Sequence, residues 1–239
     1  MTTTSEDPTV AELPKRADAR RNRARVLAAA EAAFAETGLR APVEEIARRA
    51  GVGVGTVCRN FPTKQALVEA VLEAMYEALL ADAEAALALD DAAVGFETFC
   101  NALADFQARH RALAESMATA IDIPASAQRT KAALRDAIAQ LVANAQESGA
   151  IRTDVGPADV TMLFAGVAHA TELSGDLEPM LHRRYLTIVL DGLRSGDTTT
   201  LPGRRFDFAQ LDRLRRRQDA KAGAAVADPS SRQQPETDR

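Results

Sequence analysis

The sequence predicts an all-α protein with a three-helix N-terminal end and a larger antiparallel helical body, about nine helices in total. Two observations carry this. Alanine is abundant while β-branched residues are thinly spread and aromatics are few, with two Tyr, eight Phe and no Trp, which favours helix over sheet. Apolar residues also recur at three and four positions between separators built from Gly, Pro, Asp and Ser.

Taken in order, Met1 to Pro14 shows no apolar period and is expected as a disordered arm. A first helix is expected from about Ala17 to Thr37, with Val26, Ala29, Ala30, Ala33 and Phe34 as its apolar stripe and Gly38 as its stop. Pro42 to Ala50 forms a short second helix, its Glu44 and Glu45 placed at the positive end of the dipole, and Gly51 closes it. A third runs from Val54 to Asn60 after Gly53, anchored by Val57 and Phe61. Thr63 caps a fourth helix from Lys64 to about Leu89. Further helices are expected near 92–109, 111–121, 124–148, 157–173 and 178–194, and a mostly disordered tail from 197 to 239, with a transient helix at 209–221. The expected division is therefore 1–14 arm, 15–63 helix-turn-helix domain, 64–196 helical domain and 197–239 tail.

Charge is unevenly spread. Residues 14–65 carry +6, whereas residues 66–195 carry −10, within a chain of net −5. A basic block on an acidic body marks one polyanion-binding end. No apolar run is long enough to span a bilayer, and the polar N-terminus lacks the pattern of a secretory signal. Cys58 and Cys100 form neither a disulfide framework nor a metal spacing, and the expected compartment is the reducing cytoplasm. His110, His169 and His182 lack ligand-like spacing, and no nucleophile–base set or phosphate loop appears, so neither enzyme nor cofactor is expected.

The informative stretch is Pro42–Lys64, PVEEIARRAGVGVGTVCRNFPTK. Two short helices around a Gly-centred turn are the helix-turn-helix pattern, whose second helix enters the major groove. The outer face of that helix offers Gly55, Thr56, Arg59 and Asn60 to base edges, while Arg20, Arg21, Arg23 and Lys64 are placed for phosphates. Residues 23–76, through AAEAAFAETGLRAPVEEIARRAGVGVGTVCRNFPTKQALVEAV, resemble the DNA-binding domain of the TetR family of bacterial regulators. The resemblance implies a homodimer that binds operator DNA, usually as a repressor released by a small-molecule effector. It also implies that Val54, Gly55, Thr56, Cys58 and Asn60 face the operator. Cys58 stands where the family most often has tyrosine, Asn60 where histidine is common, and Val43 at a frequent Ser/Thr position.

Phe96, Phe99, Leu103, Phe106, Met117, Ile121, Phe164 and His169 are the candidates for an effector pocket, set against the plainer reading that the aromatic stripe is core. His169 fits a dimer contact or a satisfied core histidine as well. The last two helices mix small and large residues, and in the resembled family the corresponding pair forms the dimer interface. Met162, Ala165, Gly166, Ala170, Leu186 and Val189 are the candidates here. Cys58 is either a redox-sensitive thiol or a small residue tolerated at the groove. An activator, or a regulator controlled by a protein partner, is the alternative to an effector-released repressor.

Overall fold

The computed structural model describes residues 9–110, 125–173, 181–196 and 199–214, and nearly all of these are helical. The expected helix at 111–121, with Met117 and Ile121, lies outside the described residues, as do 1–8 and 215–239. Helix α1 spans Thr9–Thr37, a one-turn 3-10 helix follows at Gly38–Arg40, and α2 (Val43–Ala50), α3 (Val54–Asn60) and α4 (Lys64–Leu87) complete the N-terminal half. The body adds α5 (Ala92–Arg109), α6 (Ala125–Glu147), α7 (Pro157–Leu173) and α8 (Leu181–Leu193). Among the described residues no helix is long and apolar enough to cross a membrane, and no group of His, Cys, Asp and Glu is arranged to hold a metal ion.

Local signals explain most of the boundaries. Gly38 takes φ 63° and Gly51 takes φ 64°, left-handed conformations that end α1 and α2 at little steric cost. The Thr63 hydroxyl accepts from Ala66 N at 3.0 Å, and the Asp91 carboxylate accepts from Ala93 N and Val94 N at 2.9 and 3.1 Å. Both satisfy donors that a helix start leaves open. Helix α2 has no side-chain cap, because the N-cap residue is Pro42, which carries no side-chain acceptor.

Two cores form. Val26, Ala30, Phe34, Ile46, Val57 and Phe61 meet Leu67, Val71, Leu72 and Met75 in a head cluster. Leu79, Ala83, Phe96, Phe99, Cys100, Leu103, Leu141, Phe164 and Leu186 belong to a body cluster. Helix α4 contributes its first half to one and its second half to the other. Helix α6 packs along α4, and α5 lies against α4, α6, α7 and α8. Phe106, near the end of α5, is the half-buried side chain that touches both clusters.

Two regions depart from expectation. Helix α1 begins at Thr9, eight residues before the apolar stripe made its start legible. Residues 199–214 are not a loose tail: they return across the body and end in a helix at 208–214. The Arg135 guanidinium donates to both Asp212 carboxylate oxygens at 2.7 and 2.6 Å and stacks over Phe208, while Leu211 is buried. Upstream, the Asp159 carboxylate accepts from both Gly156 N and Phe206 N at 2.8 and 3.0 Å. Arg152 donates to Asp154 at 2.6 Å and to the Thr199 carbonyl at 2.6 Å.

Candidate nucleic-acid interface

Helix α3 is short and buries little, so its position comes from two inward anchors. Val57 is 1% and Phe61 is 4% exposed; burying two such side chains is worth roughly 1.5–3 kcal/mol each. Val54, Gly55, Cys58 and Arg59 then face solvent, with Thr56 and Asn60 half-buried beside them. A Cβ at Gly55 would meet nothing within 4 Å, which leaves the helix surface low there and suited to close approach. Arg59 donates to Thr56 Oγ1 at 3.1 Å, and Asn60 Nδ2 donates to the Thr56 carbonyl at 2.8 Å. These two contacts hold the Arg59 and Asn60 side chains along the helix. Cys58 is an exposed free thiol.

The basic residues divide by use. Arg23 lies over the Phe61 ring, 4.4 Å from its centroid, and reaches the Asn60 carbonyl at 3.4 Å, so it clamps the end of α3 rather than standing free. Arg21 pairs with Asp18 one turn away on α1. Arg20, Arg21 and Lys64 are all exposed.

A further set, not anticipated from sequence, braces the turn. Arg49 on α2 donates to both carboxylate oxygens of Glu36 at 2.7 Å and to Glu45 at 2.7 Å. Arg48 donates to Glu45 at 2.8 and 2.6 Å. The Glu45 pairs repeat at three and four residues and are a readable helix-face signal, but Glu36 comes from α1, thirteen positions away. Arg48 and then Arg49 hold the Glu45 carboxyl down at about 2, below its ordinary 4.5, and Arg49 lowers Glu36. A carboxyl lowered on folding adds stability that is complete above its ordinary value and fades as pH falls towards the lowered one. The lead of the native protein over Arg49→Ala in thermal melting is therefore expected at about pH 6 and to shrink by about pH 3. A lead independent of pH would dismiss the clamp.

In the body, Phe96, Phe99, Leu103 and Phe164 converge in the buried cluster and Phe106 borders it, whereas His169 is exposed on α7. A separate hollow of about 260 Å³ lies where the α4–α5 turn meets α6, lined by Leu89, Gly95, Leu141 and Asn144 among others. Of the residues marked for a dimer contact, Met162, Ala165 and Gly166 are exposed, Ala170 and Val189 half-buried. Leu186 is 2% exposed and belongs to the body cluster. Leu163 and Ile188, exposed by 42% and 58%, extend the apolar surface of α7 and α8.

Comparison with known proteins agrees with this geometry. Residues 26–71 match the model described as bacterial regulatory proteins, tetR family, and residues 91–195 match the C-terminal domain of SbtR-like transcriptional regulators. A TetR transcription regulatory protein from Mycobacterium vanbaalenii is similar at 37% identity and a TM-score of 0.60, over 76% of this chain and 99% of that one. A TetR transcriptional regulator from Streptomyces coelicolor is similar at 32% identity and 0.58, over 72% and 98%. The repressor of a multidrug efflux pump from Stenotrophomonas maltophilia shares the fold at 23% identity and 0.51, over 77% and 96%. No curated protein matches the sequence.

Proposed function

Because this chain belongs to the TetR family of bacterial regulatory proteins, we propose that it is a repressor which binds an inverted-repeat operator as a homodimer and leaves it when a small-molecule effector occupies the body. The observation that carries the DNA-binding part is α3 itself: a short helix fixed by buried Val57 and Phe61, with Val54, Gly55, Cys58 and Arg59 turned outwards. The apolar surface of α7 and α8, with Met162, Leu163 and Ile188 exposed, supports pairing of two copies, and pairing supplies the second reading head. Release follows by linkage: an effector that prefers the non-binding conformation lowers DNA affinity by the factor by which DNA lowers effector affinity. The acidic body confines DNA to the basic end.

The test is enrichment of fragments of the source genome on the purified protein at moderate salt. A few enriched fragments sharing an inverted repeat are expected; none, from a folded dimer, would end the reading. Against the recovered site, Lys64→Ala is expected to weaken all sequences alike and flatten the salt dependence by about one counterion. Thr56→Ala and Asn60→Ala are expected to lose about 1–3 kcal/mol of discrimination at individual bases. Uniform losses for all three would refute the division between readers and anchors.

A second reading, control by a protein partner, draws on the close packing of Phe96, Phe99, Leu103 and Phe164 in the body. It predicts the same enriched fragments but no release by any small molecule.

A further inference from the structure

His110 closes α5 and is 5% exposed, the one buried polar or charged side chain among the described residues. Its ring lies tilted against Phe106, with centroids 4.5 Å apart, where the head and body clusters meet. Both ring nitrogens face acceptors: Nδ1 is 2.8 Å from the Phe106 carbonyl oxygen, and Nε2 is 2.7 Å from Glu31 Oε1 on α1. A carbonyl only accepts, so Nδ1 carries a hydrogen, and a neutral imidazole would then turn a lone pair towards Glu31. A lone pair and a carboxylate oxygen do not attract each other. The contact therefore holds one proton more than a neutral histidine beside a carboxylate, whether that proton rests on Nε2 or on Glu31. Solvent can supply it, because the Glu31 side chain is 42% exposed.

We propose that Glu31 and His110 form a proton-held latch between body and head, and that closing it strengthens DNA binding. The second half rests on the DNA-binding reading above and adds a control to it. Among the described residues, Glu31 is the one charged group within hydrogen-bond or ion-pair distance of the ring. On α5 itself, Asp105 is taken by His182 and Arg183 of α8 at 3.1 and 2.8 Å, and Arg109 is exposed. Histidine is the side chain that ordinarily exchanges its proton between about pH 5 and 8, so the latch is closed at the acid end of that range and opens towards the other. Opening frees α1 from the end of α5. Arg23 of α1 holds the end of α3, and Glu36 holds Arg49 of α2, so the seat of α1 is felt by both helices of the motif. A head held in one seat gives up less freedom on DNA than a loose one, and the latched form binds more tightly.

The experiment uses the full chain, native and Glu31→Gln, each with and without His110→Gln, melted at about pH 6 and about pH 8. A glutamine at 31 donates its own N–H to a neutral imidazole and so makes the contact without the extra proton. Native protein is expected to melt above Glu31→Gln by about 2–4 °C at the lower pH, with that lead gone at the higher. In the His110→Gln background, Glu31→Gln is expected to have the same effect at both. A native lead equal at the two pH values, or a pH-dependent lead that survives without His110, would overturn the latch. On the enriched DNA fragments at constant salt, native protein is expected to tighten from the higher to the lower pH by about 5- to 10-fold more than Glu31→Gln does. Equal tightening in both proteins would show that the latch does not reach the reading helix and would overturn its control of DNA binding. Absence of any enriched fragment would instead end the DNA-binding reading, and the melting lead alone would then decide the latch.

Discussion

Replacing Phe34 with alanine is expected to abolish DNA binding while leaving the body folded. Phe34 is wholly buried on α1 and shares the head cluster with Ile46, Val57, Leu67 and Leu72. Truncating a buried phenylalanine costs about 3–5 kcal/mol, partly lost transfer energy and partly the cavity left behind. A domain of this size is stable by only about 5–15 kcal/mol in total, and the head is the smaller of two cores. The loss also falls where α3 is most exposed to it, because Val57 and Phe61 are that helix's only inward anchors and both belong to the same cluster. Hydrogen exchange is expected to speed up across α1 to α3 and remain slow in α6 and α7. Unchanged affinity for the enriched fragments would mean that α3 is positioned by something other than this core.

The second large effect is expected at Gly95. A Cβ there would lie 2.6 Å from the Ala86 carbonyl oxygen and 3.5 Å from its carbon. The obstructing atoms are backbone in the last turn of α4, so no side chain can swing aside and the two helices must separate. Overpacking of this kind costs about 1–3 kcal/mol, whereas glycine to alanine in an open helix gains about 1 kcal/mol. The two effects have opposite signs, which makes the variant decisive. Gly95→Ala is expected to melt lower by several degrees; a higher melt would show that α4 and α5 do not meet this closely.

Most of the fold was legible because its boundaries are set locally. Gly38, Gly51, Thr63 and Asp91 each act within a few residues of themselves, and the stripe from Val26 to Phe34 needs no partner to be seen. The outward residues of α3 were legible for the same reason, since Val57 and Phe61 determine which face remains. What escaped depends on contacts between distant positions. Arg135 and Asp212 are 77 residues apart, so the segment around Phe206, Phe208 and Leu211 looked like charged tail until α6 supplied its counterpart. The same holds for Glu36 with Arg49 and for Glu31 with His110, 79 positions away. Leu186 was marked for a surface because the pair of helices it belongs to mixes small and large residues; only the position of α5 decides that it faces inward. The extra turns of α1 carry no apolar stripe and include Pro14, a residue that opposes a helix interior, so no local signal announced them.

The sharing of α4 between two cores bears on how such regulators can be recombined. Leu67, Val68, Val71, Leu72 and Met75 complete the head, and Leu79, Ala83 and Ala86 begin the body. A graft cut where the helix-turn-helix motif ends, before Lys64, would separate α3 from about a third of the buried residues in the core that holds it. A cut in the turn between Met75 and Leu79 keeps each set of apolar partners with its own parent. The transferable unit is therefore longer than the motif, and α4 is a seam rather than a linker.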